Sequence, residues 1–296
     1  MVGNSLVSKL GDDIIDIDWE MKDVKQGSLL VDVFQPEEIL RKISEKQKQF
    51  FSPDSDKKKL AVDIRNLKVD LLISQLELMI KSRGMETKPT GRGKALTKQT
   101  EIYLQTVGWK QNIQELKQLK HNPDQFLNFF DWKLDFPEVM NQQVVENVGF
   151  DIVIGNPPYI KVQSIPKELI EFFKTRFKSA TGKYDIYVIF MEISFHLLKK
   201  NGCASFINPH RFLITDYGKG LRKLIFEKKA LNKLVYFGVE QIFETATTYT
   251  GIFFIKENSS HFKFAVAKDK ELNNLCYFSK SYLLPTFNFS IENNDD

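Results

Sequence analysis

The sequence is poor in the residues that staple or metallate small proteins. It has two cysteines, Cys203 and Cys276, far apart and outside any CxxC pair, so neither a zinc ribbon nor a disulfide scaffold is indicated. Its four histidines, His121, His196, His210 and His261, are scattered, and no metal site is expected. No apolar run approaches the ~20 residues that span a bilayer. Residues Met1 to Gly11 lack the basic-plus-apolar pattern of a signal peptide. These absences point away from a membrane and toward a reducing, cytoplasmic setting. Charge bias is small as well: a net charge of +4 excludes a strongly basic, histone-like mode while remaining compatible with nucleic acid. Internal repeats and coiled-coil heptads are absent.

What is present is apolar bulk. The 296 residues are 42% hydrophobic and include 25 phenylalanines, against 9 tyrosines and 3 tryptophans. That suffices for one large domain or somewhat more.

Two styles of sequence divide the chain. Ile14–Trp19 (IIDIDW) reads as a short strand and Val31–Gln35 as another. From Pro36 a helix is expected, with proline in its first turn and Glu37 and Glu38 near the positive end of its dipole. A longer helix should run from Lys58 to Arg83, with Leu60, Ile64, Leu67, Leu71 and Leu72 on one face and Gly84 as its stop. Lys81–Lys98 reads as a glycine-bearing loop with six cations, Arg92 and Lys94 among them, and a third helix follows at about Trp109–Lys120. From Phe129 the pattern becomes α/β. Strands are expected at Asp131–Phe136, Asp151–Gly155, Cys203–Asn208, Lys233–Phe237, Thr247–Lys256 and His261–Ala267. Helices are expected at about Pro166–Lys178, Tyr184–Lys200 and Gly218–Lys229. Such alternation predicts a mostly parallel sheet, with Asp151–Gly155, a continuous apolar run, buried on both faces.

The chemistry sits directly after that run, in Asn156-Pro157-Pro158-Tyr159. In a doubly wound sheet, the loop at the carboxyl end of a strand handles ligands. The two prolines fix the backbone and leave carbonyls free to accept. Asn156 supplies an acceptor oxygen and a two-proton donor, and Tyr159 a flat ring. An amine on a planar ring is a poor nucleophile because its lone pair is delocalised. Two acceptors on its N–H bonds, the Asn156 side-chain oxygen and the Pro157 carbonyl, would localise that pair and aim it at an electrophilic methyl. The rigid loop would act by positioning and electrostatics. A turn is the simpler reading of Asn-Pro-Pro; the preceding strand, Gly155 and the following aromatic argue against it.

FDIVIGNPPYI resembles motif IV of amino-methyltransferases, and NPPY is typical of the adenine-N6 branch. FDWKLDFPEV upstream, and YDIYVIFMEISFHLLKKNGCASFINPHRFL and TTYTGIFFI downstream, are similar to the type IIG restriction-modification methylases of the Eco57I kind. The resemblance covers about Phe129–Lys256, extending to GNSLVSKLGDDIIDIDW near the start. It implies an α/β fold: part of a Rossmann-like sheet of an S-adenosylmethionine-dependent methyltransferase, carrying a helical insertion. The domains it implies are residues 1–20 at the end of the cofactor-side sheet, an insertion over 21–128, the catalytic half over 129–258, and the start of a target-recognition-like region over 259–296. It implies double-stranded DNA with a flipped adenine as substrate. Asn156, Pro157, Pro158 and Tyr159 would form the amine site, Tyr159 and Tyr249 would stack on the two faces of the base, and Asn156 and Pro158 would touch the cofactor at its edge. Tyr249 is equally readable as a core-facing strand residue. Tyr184-Asp185 and Tyr187 match the family's helix start, where Asp185 reads as a cap. Arg92, Lys94 and Arg211 are the candidates for the DNA backbone.

The family's glycine-rich cofactor turn, D-P-A-x-G-x-G, has no counterpart in the sequence, and the acid for the ribose is unassigned, with Asp16 and Asp18 the nearest offers. The expectation is therefore a fragment, a truncated gene product, or one part of a split enzyme whose cofactor-binding half lies on a separate chain. Asp124 and Asp131-Trp132-Lys133 lack the strand spacing of a nuclease site. Cys203 and Cys276 follow Gly202 and Leu275, unlike a cytosine-C5 nucleophile after proline. An RNA or protein-amide methyltransferase and a non-catalytic DNA-binding remnant stay open.

Overall fold

A computed structural model describes residues 4–11, 13–17, 19, 36–238, 242–243 and 249–267, and the backbone alone of 275–281. The chain divides into two compact units, Met1–Glu146 and Asn147–Asp296. Among the described residues no helix is long and apolar enough to cross a membrane.

The first unit is helical. A two-residue antiparallel pair, β1 (Lys9–Leu10) and β2 (Asp13–Ile14), precedes α1 (Pro36–Phe50), α2 (Lys57–Arg83) and α3 (Lys94–His121). Pro36 opens α1 with Glu37 and Glu38 in its first turn, as expected. Asp56 caps α2 by accepting from the Lys59 N–H, and Gly84 follows its last residue. Leu72, Leu76 and Met79 of α2 pack with Trp109, Ile113 and Leu116 of α3 and with Ile15 and Trp19. That packing explains why, among the described residues of IIDIDW, only Ile14 belongs to a strand: Ile15 and Trp19 are spent on the helices, and Asp13 beside it accepts from the Asn112 amide. The third helix starts far earlier than its apolar face suggested, so Lys94 and Lys98 belong to its first turns rather than to the loop. Asp131–Phe136 is also corrected. It contains a single-turn helix, α4 (Trp132–Asp135), followed by α5 (Pro137–Met140), because Asp131 Oδ1 accepts from the N–H groups of Lys133 and Leu134 and nucleates the turn. Lys68, on α2, reaches Asp135 with Nζ–Oδ1 at 2.6 Å, both side chains nearly sequestered from solvent. Val31–Gln35 lies outside the described residues.

The second unit is α/β. In chain order it contains β3 (Phe150–Gly155), α6 (Lys167–Arg176), α7 (Tyr187–Leu197), β4 (Leu198–Pro209), α8 (Lys219–Glu227), β5 (Leu231–Tyr236), β6 (Thr250–Ile255), β7 (His261–Ala267) and β8 (Leu275–Ser281). The six strands lie in the order β3-β4-β6-β5-β7-β8. The sheet is mixed, not mostly parallel: β3 with β4 and β5 with β7 are parallel, the other pairings antiparallel. The cause is β6, which follows β5 without an intervening helix in the described residues and inserts between β4 and β5. One face of the sheet is sealed, with Ala204, Phe206, Leu234, Phe253 and Ile255 all buried.

The expectation for Asp151–Gly155 fails in an informative way. β3 is an edge strand, and Ile152 and Ile154 are 61% and 80% exposed. An apolar run marks a strand that a sheet can cover; whether a neighbour lies beside it is a matter of topology. At its entry, Gly149 has φ +114°, and a Cβ there would stand 2.3 Å from the Lys199 nitrogen. Helix α7 also ends sooner than expected, at Leu197, and β4 absorbs Lys199–Gly202 through a register shift with Asn201 at φ +72°.

Candidate active site

Asn156-Pro157-Pro158-Tyr159 leaves the carboxyl end of β3, the location that α/β sheets reserve for ligands. Gly155 lets it leave closely: its Cα faces the Phe206 ring of β4, where a Cβ would come within 2.9 Å. Pro157 is buried and anchors the turn, while Asn156 and Pro158 are exposed. Tyr159 turns back toward the sheet. Its hydroxyl lies 3.1 Å from Asn156 Oδ1 and 3.1 Å from the carbonyl oxygen of Ile207 in β4. Its ring meets Tyr187 edge-on, centroids 6.2 Å apart at 80°. Burial pushes the Tyr159 phenol up, so it stays protonated and able to donate.

The segment after the loop is fixed by the Tyr184-Asp185 stretch. Val162 N–H donates to the Tyr184 carbonyl at 2.9 Å and Ile186 N–H to the Ile160 carbonyl at 2.8 Å, so Lys161 and Asp185 sit opposite each other as a single antiparallel bridge. Tyr184 and Tyr187 are fully buried, and the Tyr187 hydroxyl pairs with that of Tyr217 at 2.9 Å. Burial raises the Asp185 carboxyl above the usual carboxylate range, against the pull of Lys161 and Arg211. Arg211 itself is exposed, in the turn after β4.

Tyr249 stands at the start of β6, 47% exposed rather than turned into the core. His210 N–H donates to its carbonyl at 3.2 Å, and the His210 ring stacks on the Tyr249 ring at 6.3 Å and 13°. The His210 ring also meets Tyr236, centroids 4.7 Å apart at 55°. Burial lowers the histidine's affinity for a proton, which favours the neutral ring. Tyr159 and Tyr249 thus both attach to the end of β4, one through Ile207 and the other through His210. Arg92 and Lys94 lie in the other unit, exposed, at the junction between the α2–α3 loop and α3.

Sequence reading missed two groups at this end of the sheet. His210 reads, with Pro209 and Arg211, as a strand end able to meet the DNA backbone or as a solvated loop, since nothing local announces its aromatic contacts with Tyr236 and Tyr249. Asn208 is fully buried, and both atoms of its amide lack a partner among the described residues, as does the buried hydroxyl of Thr250. A polar residue inside a strand pattern was the available signal.

The Eco57I restriction-modification methylase family model matches residues 14–243, which is most of the chain. The chain belongs to this family. Its relatives include the type II restriction enzyme and methyltransferase RM.Eco57I of Escherichia coli, 43% identical over 128 residues, covering 42% of this chain and 13% of that protein. The type II methyltransferase M.BstVI of Geobacillus stearothermophilus is 32% identical over 146 residues, covering 48% of this chain and 26% of that protein. The family member described here therefore spans a small part of the length of these relatives. Among solved structures, the methyltransferase subunit of a type I restriction-modification system from Streptococcus thermophilus aligns with a TM-score of 0.35 and 18% identity, over 73% of this chain and 53% of that one.

Proposed function

We propose that this chain is the catalytic half of an adenine-N6 DNA methyltransferase of a restriction-modification system, acting in the cytoplasm. The observation that carries the reading is the Asn156–Tyr159 loop: a buried proline anchor, an exposed carboxamide and a fixed aromatic at the carboxyl end of a strand. The substrate is double-stranded DNA with the adenine flipped out, since an amine inside the duplex cannot reach the loop. Asn156 and the Pro157 carbonyl accept the two N–H bonds of the amine, which draws its nitrogen toward tetrahedral geometry and aims the lone pair. Tyr159 holds one face of the base and Tyr249 the other, a contact type worth about 1–3 kcal/mol per base. Arg92, Lys94 and Arg211 neutralise phosphates.

S-adenosylmethionine, when bound, supplies an electrophilic methyl group. Asn156 and Pro158 are both exposed and suit an edge contact with it. The enclosing part of that site falls to the cofactor-binding half, and the surface that this half would meet is β3, at the edge of the sheet among the described residues, with its exposed Ile152 and Ile154.

The test is transfer of labelled methyl by the chain complemented with that half, to DNA, RNA and protein in parallel. Asn156→Ala should abolish transfer to adenine while leaving the far-UV spectrum intact. By analogy with an oxyanion-hole donor, the lost acceptor raises the barrier by about 2.7–4 kcal/mol. Near-normal turnover of the variant removes the assignment, and label in RNA or protein alone redirects the substrate.

A further inference from the structure

The Tyr159 hydroxyl has one proton and two close neighbours, Asn156 Oδ1 and the Ile207 carbonyl oxygen, each at 3.1 Å. Both are acceptors, so with the amide in that orientation one contact is left without a hydrogen. A half-turn of the carboxamide about its last torsion exchanges oxygen and NH2 at nearly the same positions. Asn156 Nδ2–H then donates to Tyr159 Oη, and Tyr159 Oη–H donates to Ile207 O. Every donor has one acceptor, and donors in series strengthen one another. Because Asn156 is exposed, its Oδ1 is then left on the open side of the loop.

We propose that Tyr159, beyond offering its ring face, is the positioning residue for Asn156: its hydroxyl links the Asn156 amide to the backbone of β4 and sets which end of that amide faces the substrate. The part of this that concerns the reaction rests on the methyltransfer reading above. The anchor is firm at its far end. Ile207 lies inside β4, hydrogen-bonded to β6 in register with Ile252. The tyrosine ring is braced edge-on by the fully buried Tyr187, which is itself tied to Tyr217. Without the hydroxyl, the amide turns between two orientations, and in one of them an N–H faces the N–H of the amine. An acceptor defined only part of the time weakens the step that aims the lone pair while leaving the stacking of the ring untouched.

The first readout needs no activity. In the full chain labelled with 15N at asparagine side chains, the Asn156 NH2 signals are assigned by their loss in Asn156→Ala. The two protons should be well separated, one of them exchanging slowly, and Tyr159→Phe should collapse them to the pattern of a solvent-exposed asparagine. Unchanged Asn156 signals in Tyr159→Phe overturn the proposal, because an amide that accepts from the phenol keeps its NH2 free in both proteins. The second readout is methyl transfer by the complemented enzyme. Losing a hydrogen bond of ordinary strength should lower kcat about tenfold in Tyr159→Phe with KM for DNA unchanged. A kcat equal to wild type, or a loss confined to KM, also overturns it. If methyl transfer is absent in wild type while the NMR change is seen, the functional reading fails and the positioning of Asn156 stands.

Discussion

Removing the ammonium of Lys68 should cost more than any other single truncation on the surface-poor side of α2. Its Nζ lies 2.6 Å from Asp135 Oδ1, and the two side chains are only 10% and 4% exposed. The other carboxylate oxygen of Asp135 accepts from the Asp131 N–H at 2.9 Å, and its backbone carbonyl accepts from Gln47 at 2.9 Å, so one residue ties together α1, α2 and α4. A second acid stands close by. The half-buried Asp131 carboxyl is already pushed up, chiefly by desolvation and in part by the charge of Asp135. Lys68→Met keeps the apolar stem and leaves a carboxylate without its cation next to another. Breaking a buried pair from one side costs about 3–5 kcal/mol, a large share of the roughly 5–15 kcal/mol that holds a domain folded. All three tryptophans, Trp19, Trp109 and Trp132, lie in this unit, so urea unfolding followed by tryptophan fluorescence reports on it. With a slope near ~2 kcal/mol/M the midpoint should fall by about 1.5–2.5 M. Lys68→Met with Asp135→Asn should recover most of the loss, since neither charge is then stranded. A single variant that loses under about 1 kcal/mol, or a double variant as unstable as the single, would refute the claim that the desolvated charge sets the cost.

Gly149→Ala should destabilise the second unit by about 3 kcal/mol, combining a left-handed backbone with overlap onto the β4 backbone; a far-UV denaturation midpoint within error of wild type contradicts this. Arg92→Glu with Lys94→Glu should weaken binding to all DNA sequences alike and flatten the dependence of affinity on salt, read by fluorescence anisotropy across a salt series; an unchanged slope would leave both as solvated cations. Burial depresses the proton affinity of His210 in the folded state below its ordinary 6.5. The unfolded chain then binds more protons in that window, so stability falls as pH drops below ~6.5. His210→Phe, which keeps the stack on Tyr236 and Tyr249, should show a smaller difference between urea midpoints at about pH 7.5 and 5.5, and an equal difference would assign the effect to other groups.

Signals carried by local chemistry were legible in the sequence. Pro36 marks a helix start because its fixed φ acts on the spot, Gly84 an end where a Cβ would meet the Ile80 carbonyl oxygen at 2.5 Å, and His261–Ala267 reads as a strand because alternation is a local pattern. The α/β character of the second unit follows from such pieces. Their order in the sheet does not: the mixed sheet depends on β6 entering between β4 and β5, and the exposure of Ile152 and Ile154 on whether anything packs over their face of β3. Asp131–Phe136 misled because alternation over six residues also fits a capped turn whose cap, Asp131, is visible only once its hydrogen bonds are known. At the candidate site, the Asn-Pro-Pro-Tyr run and its place after a strand were readable. The Tyr159 contact with Ile207 and the stack of His210 on Tyr249 were not, because each joins residues distant in the chain.

The parallel pairing of β3 with β4 has a consequence in time. Phe150 meets Leu198, and Gly155 meets Phe206, only after the whole of α6 and α7 has been spanned. Closing so long a loop must precede any reward from the contacts it makes, and sheets built this way form slowly. The helices α1, α2 and α3 pack on neighbours reached through short turns, an arrangement that forms fast. During synthesis the helical unit therefore has the opportunity to settle first. The strand that delivers Asn156 must wait for β4, and its Ile152 and Ile154 lie open to any other chain within reach even after β4 has paired.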